Sequence, residues 1–265
     1  MQCVFENSSV IKNIVCSLAD GVENLNMHAN AQGISVCATN VSNTDMRELT
    51  LTTDYFKEYS CTQDCVMGLN MPLFKKFMST AGPTSIIKWS IASGAATMEI
   101  EISDADASKA TMVKTWTIKL MDLDEESLAA PPNPEFDVSL RISTVMVSDW
   151  IKNCKLLDGH LTLGVLKDRY ISVVCEADEG TLNLKQTLPS VMATIYQTSP
   201  DFSKFDFTIS NKEAEYLNTM IKCAPGVDIQ MNSQMPMCAT SYLNKEQTSY
   251  IRMWIAPICG DDDDA

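Results

Sequence analysis

Polar and apolar residues alternate in many short stretches of this chain. Alternation with a period of two residues is the pattern of a β-strand that buries one face. The clearest examples are NLNMHAN (24–30), GISVCAT (33–39), MEIEISD (98–104), HLTLGVL (160–166) and RYISVVCEA (169–177). RELTLTT, TWTIKL, TLNLKQT, FDFTIS and SYIRMWI follow the same pattern. Strands are therefore predicted to dominate the fold.

Four other segments space their apolar residues as helices do. They are SSVIKNIVCSLADGV (8–22), MPLFKKFMSTAG (71–82), VMVSDWIKNCKLLDG (145–159) and NKEAEYLNTMIKCAPG (211–226). A serine precedes the first apolar run as a candidate N-cap, and each segment ends at a glycine. The fold class is predicted to be α+β.

The predicted elements follow the same order in both halves: a strand, a helix, then about seven strands with a second helix among them. GISVCAT (33–39) resembles YISVVCEA (170–177), and SLADG (17–21) resembles KLLDG (155–159), both at offsets close to 137. Two matches in one order at one offset indicate an internal duplication.

The duplication sets the expected domain boundaries. We predict one domain at 1–119 and a second at 136–265. The segment between them, 120–135, is acidic and then rich in proline. This composition is typical of an exposed connecting loop.

Composition fits a globular protein, with 45% hydrophobic and 20% charged residues among 265. No apolar run approaches the ~18 residues of a membrane span, so no membrane partner is expected. The net charge of −14 argues against nucleic-acid binding over the whole surface, because phosphate contacts need Lys and Arg. A local basic patch is still compatible with it.

Lysines are present in or beside all four predicted helices. The candidates are Lys12, Lys75, Lys76, Lys152, Lys155 and Lys222. Taken singly, each is most simply a solvated surface charge. If the helices lie side by side, however, their exposed faces form one weakly positive surface on an acidic protein. Such a surface suits contact with a phosphate backbone that is independent of base sequence.

Ten cysteines lie at scattered positions with no C-x-x-C motif, and the closest pair is Cys61 and Cys65 in SCTQDC. The first residues, MQCVFENSSV, lack the basic and apolar regions of a secretory signal. We therefore expect reduced and mostly buried thiols, as in a cytosolic or nuclear protein. A redox role for Cys61 and Cys65 is not favoured.

Catalytic and metal-binding motifs are missing from the sequence. The only histidines are His28 and His160, there is no phosphate-binding G-x-x-x-x-G-K-S/T loop, and there is no G-x-S-x-G. DLDEES lacks the glycine and glutamate spacing of an EF-hand. No metal, cofactor or catalytic residue is predicted, and an enzyme of unknown type is the weakest hypothesis.

Several stretches carry a resemblance to a known family. They are YFKEYSCTQDCVMGLNMPLFKKFMSTAG (55–82), KLMDLD (119–124), TLNLKQT (181–187), EYLN (215–218) and IAP (255–257). In this order the chain resembles the proliferating cell nuclear antigen (PCNA) family of sliding clamps over its whole length. The resemblance implies two similar clamp domains per chain, four helices that line a ring, and sheets outside. It also implies a homotrimer joined through strands 115–120 and 181–187.

The resemblance implies partners as well. Double-stranded DNA would pass through the ring without base-specific contacts. A DNA polymerase, a clamp loader and repair proteins would dock through a short motif, the PIP box, in the nucleus or at a viral replication site. The alternative is a subunit of a checkpoint-type or mixed ring. Lys167 matches a family lysine that is modified by ubiquitin or its relatives.

A hydrophobic pocket for the PIP box is also implied, and it would explain why YIRMWIAPI continues almost to the acidic end DDDD. The residues that match its walls are Met46, Leu128, Ala130, Pro131, Met235, Pro236, Trp254, Ala256 and Pro257. We expect these side chains at the surface. Three features depart from the family pattern: Asn43 stands where a histidine is common, Ala130 is small, and PPNP lengthens the loop.

Overall fold

The same succession of elements occurs twice along the chain. The structure is a computed structural model, and it describes residues 1–5, 7–104, 112–124, 135–157, 159–166, 170–188, 190–199 and 202–258. The first half contains β1 (Gln2–Phe5), α1 (Ser8–Ala19), β2 (Asn24–Asn30), β3 (Gly33–Thr39), β4 (Asp45–Thr52), β5 (Glu58–Ser60), β6 (Cys65–Asn70), α2 (Met71–Ser79), β7 (Ser85–Ser90), β8 (Thr97–Asp104) and β9 (Lys114–Lys119).

The second half repeats this order. It contains β10 (Val138–Ser143), α3 (Thr144–Cys154), β11 (His160–Leu166), β12 (Tyr170–Ala177), β13 (Gly180–Thr187), β14 (Ala193–Thr198), β15 (Lys204–Ile209), α4 (Asn211–Met220), β16 (Gly226–Asn232), β17 (Met235–Tyr242) and β18 (Tyr250–Ile255). Eight strands follow the first helix in each described half, where the sequence predicts about seven. The α+β class, the four helices and the two similar domains are confirmed.

Strand pairing is duplicated too. In the first half one sheet has the order β5-β1-β7-β8-β9, and β4-β3-β2-β6 run side by side in another. In the second half the corresponding orders are β14-β10-β16-β17-β18 and β13-β12-β11-β15. All the pairs with described register are antiparallel, and each half repeats the same arrangement of antiparallel strands and two helices.

The chain divides into two compact units. One comprises residues 1–130 with 242–251, and the other comprises 131–241 with 252–265. Residues 242–251 thus belong to the second half in sequence but group with the first unit. There the Thr52 N–H donates to Ser249 Oγ at 3.0 Å, so this segment flanks β4. The domain limits 1–119 and 136–265 stay a prediction.

Each helix buries one apolar face, and a side chain caps the start of α1, α2 and α4 but not of α3. In α1, Ile11, Ile14 and Leu18 are fully buried. The cap of α1 is Asn7, whose side chain accepts from the Val10 N–H at 3.1 Å. The expected serine cap is therefore wrong, and Ser8 Oγ donates instead to the Gly82 carbonyl at 2.7 Å.

The helices end earlier than their glycines predict. Helix α3 ends at Cys154, well before Gly159, and α4 gives way after Met220 to a single 3-10 turn. The residues after α4 still pack on the unit, since Ile221 and Cys223 are buried, whereas Leu156 after α3 is exposed. None of the helices in the described part of the chain is long and apolar enough to cross a membrane.

An ion pair is buried beneath α1. Arg47 is 1% exposed, and its Nε donates to Asp45 Oδ1 at 2.8 Å. Its Nη1 also donates to the carbonyl of Ser17 in the last turn of α1. A buried charge is tolerated only when it is paired and hydrogen-bonded, as it is here. The guanidinium therefore ties the end of α1 to β4.

The start of the connecting loop lies against the first unit. The Met121 N–H donates to the Gly68 carbonyl of β6 at 2.8 Å. Asn26 Nδ2 donates to the carbonyls of Leu123 and Asp124 at 3.4 and 3.3 Å. A Cβ atom at position 68 would lie only 2.2 Å from the Met121 carbonyl oxygen. Glycine at this position is what lets the loop reach the sheet.

Replacing Gly68 by alanine should release this contact. We expect the Met121 amide to lose its hydrogen bond, worth about 0.5–1.5 kcal/mol, and to exchange with deuterium up to about tenfold faster. The control is Gly226→Ala, because a Cβ there meets nothing nearer than Ile142 O at 3.7 Å. Hydrogen exchange by mass spectrometry measures both variants. Unchanged protection of Met121 in Gly68→Ala would contradict this description of the loop.

Candidate nucleic-acid and partner interfaces

Three of the predicted DNA-facing lysines are exposed at helix ends. Lys76 lies in the last turn of α2, Lys152 in the last turn of α3, and Lys222 in the 3-10 turn after α4. A cation at the C-terminal end of a helix is favourable because the helix dipole is negative there. The duplicated fold thus brings lysines to corresponding ends of α2 and α4.

The other three candidates link the two helices of a unit. Lys12 Nζ donates to the Ala81 carbonyl at 2.6 Å, which joins α1 to the end of α2. Lys75 Nζ contacts Asp20 Oδ1 at 2.7 Å, and Lys155 Nζ contacts Glu215 Oε1 at 2.6 Å. These partners are far from the lysines in the sequence. Sequence patterns therefore do not reveal that the three lysines are hydrogen-bonded or ion-paired.

Lys75 also has a shifted pKa. Partial burial lowers the pKa of its ammonium, but the hydrogen bond and charge of Asp20 raise it by more, so it lies above its ordinary value. Lys75 therefore stays charged at neutral pH. Because the carboxylate of Asp20 offsets the positive charge of Lys75, this lysine contributes less to a positive surface than Lys76 does.

The two helix pairs differ in charge. Helices α1 and α2 carry Lys12, Lys75 and Lys76 and no acidic residue. Helix α3 balances Lys152 with Asp149, and α4 carries Lys212 with Glu213 and Glu215. Glu213 is buried in the first turn of α4, which Ser210 caps. Within the helix bounds, only the first unit's helices have a net positive charge. The weakly positive surface expected on all four helices stays a prediction.

Two sheet edges are open for pairing with another chain. Six described strands lie at an edge: β5, β6, β9, β13, β14 and β15. Strand β5 has three residues and β14 pairs with a register shift. The edge of β6 is bridged by Met121, and that of β15 by the Ile258 N–H, which donates to Thr208 O at 2.9 Å. Proteins commonly blunt edges in these ways, whereas β9 and β13 pair without a register shift and have no such cover in the described part of the chain.

The direction of the β9 backbone groups follows from its register. Strand β9 pairs antiparallel with β8, and the Leu120 N–H continues this ladder to Ala96 O at 2.9 Å. Backbone groups alternate between the two sides of a strand. The N–H groups of Thr115, Thr117 and Lys119 therefore point away from β8, and that of Ile118 points toward it. Ile118 is also 1% exposed, so its role is in the fold of the unit.

A groove of about 530 Å³ lies on the outer sheet face of the first unit. Its walls are β2, β3, the turn that follows β3, and the connecting loop at Leu123 and Asp124. In the turn, Asn40 Oδ1 accepts from the Thr44 N–H at 2.9 Å, and Asn43 has a left-handed φ of 53°. Asparagine tolerates this conformation better than most residues, which accounts for Asn43.

The tip of this turn carries an apolar side chain in water. Val41 is 74% exposed, and its N–H donates to Gly21 O at 3.1 Å, which fixes the turn. The sequence analysis did not single out Val41. The repeated asparagines of NVSN signal a turn, but not that its tip exposes a valine. Met46, on β4, is half-buried.

The terminal strand is buried further than expected. Trp254 is 4% exposed and Ile255 is fully buried. The Trp254 ring stacks on Phe136 with 6.3 Å between centroids, and the Arg252 guanidinium lies 5.8 Å from its centre. The expectation of a surface position is therefore wrong for Trp254, because both faces of β18 are covered. Pro257 is exposed, and Met235, Pro236 and Ala256 are half-buried.

Four predicted residues lie outside the described part of the chain. They are Leu128, Ala130 and Pro131 of the connecting loop, and Lys167. The described residues include no group of three or more His, Cys, Asp or Glu side chains placed to hold a metal ion.

Comparison with known proteins agrees with the fold. The family model described as proliferating cell nuclear antigen, N-terminal domain, matches residues 1–127. Proliferating cell nuclear antigen of Chaetomium thermophilum is 21% identical over 271 positions, which cover 99% of this chain and 100% of that protein. With the duplicated α+β fold, these matches support a divergent member of the PCNA family of DNA sliding clamps, similar to the family model over the first half of the chain and to the relative over its whole length.

Proposed function

We propose that this chain is a DNA sliding clamp whose ring of three copies encircles duplex DNA and keeps a DNA polymerase on its template. The observation that carries the proposal is the pair of open edges, β9 in one unit and β13 in the other. Different edges on one chain pair head to tail, and such contacts either close into a ring or continue as a fibre. Closure at three copies is what family membership adds.

The helices would face the DNA in this ring. A chain of net charge −14 repels a phosphate backbone over most of its surface, and exposed lysines at helix ends give a local exception. Contacts of this kind are independent of base sequence and weaken with salt. A ring holds DNA by enclosing it, so weak contacts let it slide. The clamp acts by binding alone and needs no catalytic residue.

Partner proteins would dock on the outer faces. The groove beside the connecting loop and the exposed Val41 offer apolar contacts on the first unit, and the exposed Pro257 offers one on the second. Such surfaces suit short peptide motifs. We propose PIP-box segments of polymerase, clamp-loader and repair proteins as their ligands, and the nucleus as the site of action. The related protein's name, proliferating cell nuclear antigen, supports this placement.

The alternative is a mixed ring, in which this chain pairs with two different relatives. The edges β9 and β13 would then find complementary edges only on other chains. Light scattering of the purified protein separates the two: a homotrimer has three times the mass of the 29.3-kDa chain, and a mixed-ring subunit stays at one.

Replacing Thr117 by proline should open the ring and leave the unit folded. Proline removes the N–H that points away from β8 and leaves the β8 ladder intact. Light scattering should give the mass of one chain, with an unchanged circular dichroism spectrum. Thr117→Val keeps the N–H and should remain trimeric. Ile118→Pro, in contrast, should unfold the sheet. A trimer formed by Thr117→Pro would rule out β9 as the subunit contact.

Replacing Lys76 and Lys152 together by alanine should weaken the binding of DNA. Each lost lysine–phosphate contact should reduce the slope of log affinity against log salt by about one. The melting temperature should stay nearly constant, because exposed charges contribute little to folding. Lys245→Ala, an exposed lysine outside the helices, is the control.

Retention on DNA tests the enclosing ring itself. The wild-type ring, once loaded, should stay on nicked circular DNA and leave when the circle is cut. Equal retention on circular and linear DNA would refute enclosure. Full salt sensitivity in the Lys76/Lys152 variant would assign the DNA contact to other residues.

Replacing Val41 by serine should weaken the binding of a PIP-box peptide by about 1–2 kcal/mol, which is roughly a five- to thirtyfold increase in Kd. Val41 is exposed, so the folding free energy should not change. Calorimetry compares it with Val191→Ser, another exposed valine, in the second unit. Equal affinity in both variants would remove Val41 from the docking site.

A Trp254 variant needs a measurement of folding beside the peptide-binding titration. Because it is buried, Trp254→Ala should lower the free energy of unfolding by about 3–5 kcal/mol, whatever it does to the peptide. Any loss of binding in that variant has to be separated from loss of fold by a parallel urea titration.

A further inference from the structure

Two thiols meet at the loop between β5 and β6. Cys61 begins the loop, and Cys65 is the first residue of β6. The Cys61 thiol donates to the Gln63 carbonyl at 3.1 Å, and it also lies within hydrogen-bond reach of the Cys65 thiol. Both cysteines are half-buried, and the three residues between them are exposed. A small reagent in water can therefore reach this pair.

The flanks of the loop hold the thiols together. Strand β5 pairs with β1, where Ser60 lies opposite Gln2, and β6 pairs with β2, where Cys65 lies opposite Ala29. The Tyr59 hydroxyl is a shared donor to two carbonyl oxygens, that of Asn30 at 2.6 Å and that of Gly33 at 2.7 Å. Since the sheets fix both ends of the loop, the folded chain holds the two sulfurs close to each other.

Although the sequence alone does not favour a redox role for this pair, we propose that Cys61 and Cys65 form a reversible disulfide when the protein meets a small disulfide such as oxidised glutathione. The Cys61 thiolate attacks one sulfur of the small disulfide and releases one glutathione thiolate, which takes up a proton. The Cys65 thiolate then attacks Cys61 in the mixed disulfide and releases the second glutathione. Two protein thiols are oxidised, and one glutathione disulfide is reduced to two thiols.

The order of the two attacks follows from the surroundings of each sulfur. Burial, together with the neighbouring Cys61, raises the pKa of the Cys65 thiol, so its reactive thiolate is scarce at neutral pH. Cys61 precedes the exposed Thr62 and is the sulfur we assign to meet the oxidant first. Cys65 then needs only to react within the molecule, where its neighbour is already in place.

The chain contains its own control pair. The thiols of Cys154 and Cys175 also lie within hydrogen-bond reach of each other, but they are 1% and 0% exposed. Burial, followed by the neighbouring Cys175, raises the pKa of Cys154 to about 12. Cys3, opposite Tyr59, is fully buried as well. Reaction limited by access should oxidise Cys61 with Cys65 and leave these three reduced.

The disulfide would have a local structural effect. It would link the two ends of the loop that leads into β6. Cys65 lies three residues before Gly68, whose carbonyl accepts a hydrogen bond from Met121 of the connecting loop. The two sheets already hold the flanks, so the fold of the unit should be unchanged. Hydrogen exchange should slow only in the loop between Cys61 and Cys65.

Peptide mapping tests the proposal directly. The folded protein is equilibrated with mixtures of reduced and oxidised glutathione, alkylated, and digested with trypsin. The peptide Glu58–Lys75 contains Cys61 and Cys65 and no other cysteine. A disulfide between them appears as the loss of two hydrogens within that one peptide, with no alkylation. Oxidation of Cys154 with Cys175, or of Cys3 with either loop cysteine, would instead join two different peptides.

The single variants Cys61→Ser and Cys65→Ser complete the test. We expect the internal disulfide in the wild type and its reversal by excess reduced glutathione. Cys61→Ser should react little, and Cys65→Ser should accumulate a glutathione adduct on Cys61. Wild type that stays fully alkylated, or that carries glutathione adducts without the loss of two hydrogens, would overturn the proposal. Cross-linked peptides from Cys154 and Cys175 at the same oxidant ratio would overturn the claim that access decides.

Discussion

The architecture depends on one constraint: in each unit, the helices and sheets must bury apolar faces against each other. Ile11, Ile14 and Leu18 of α1 are withdrawn from water, as are Trp150 and Ile151 of α3. The opposite helix faces and the outer sheet faces are then left for solvent or ligands. Burial of apolar area is the main driving force of folding, so it also decides which surfaces remain exposed.

Backbone hydrogen bonding adds a second constraint, which favours the proposed subunit contact. Every strand at a sheet edge presents N–H and C=O groups that need partners. Met121 and Ile258 supply such partners to β6 and β15, while β9 and β13 are left regular and open. A ring would satisfy both at once. The same principle explains Gly68, since only a residue without a side chain lets the connecting loop reach the sheet.

Much of the fold could be predicted from the sequence, because strand alternation and helical spacing are local signals. The exposure of Trp254 could not, because alternation in SYIRMWI does not reveal that both faces of the strand are covered. The bonded state of Lys12 depends on Ala81, 69 residues away in the chain. Likewise, the direction of the Thr117 N–H follows from the register with β8, and register is a property of the folded sheet.

The central claim is that β9 of one copy pairs with β13 of the next, so that three copies close with their helices inside. Single-particle electron microscopy of the purified protein tests it most directly. The account predicts a closed ring of three chains, with α1 to α4 of every copy lining the hole and Thr117 facing the β13 edge of its neighbour. An open filament, a ring with its helices on the outer rim, or a contact that leaves β9 in solvent would contradict it.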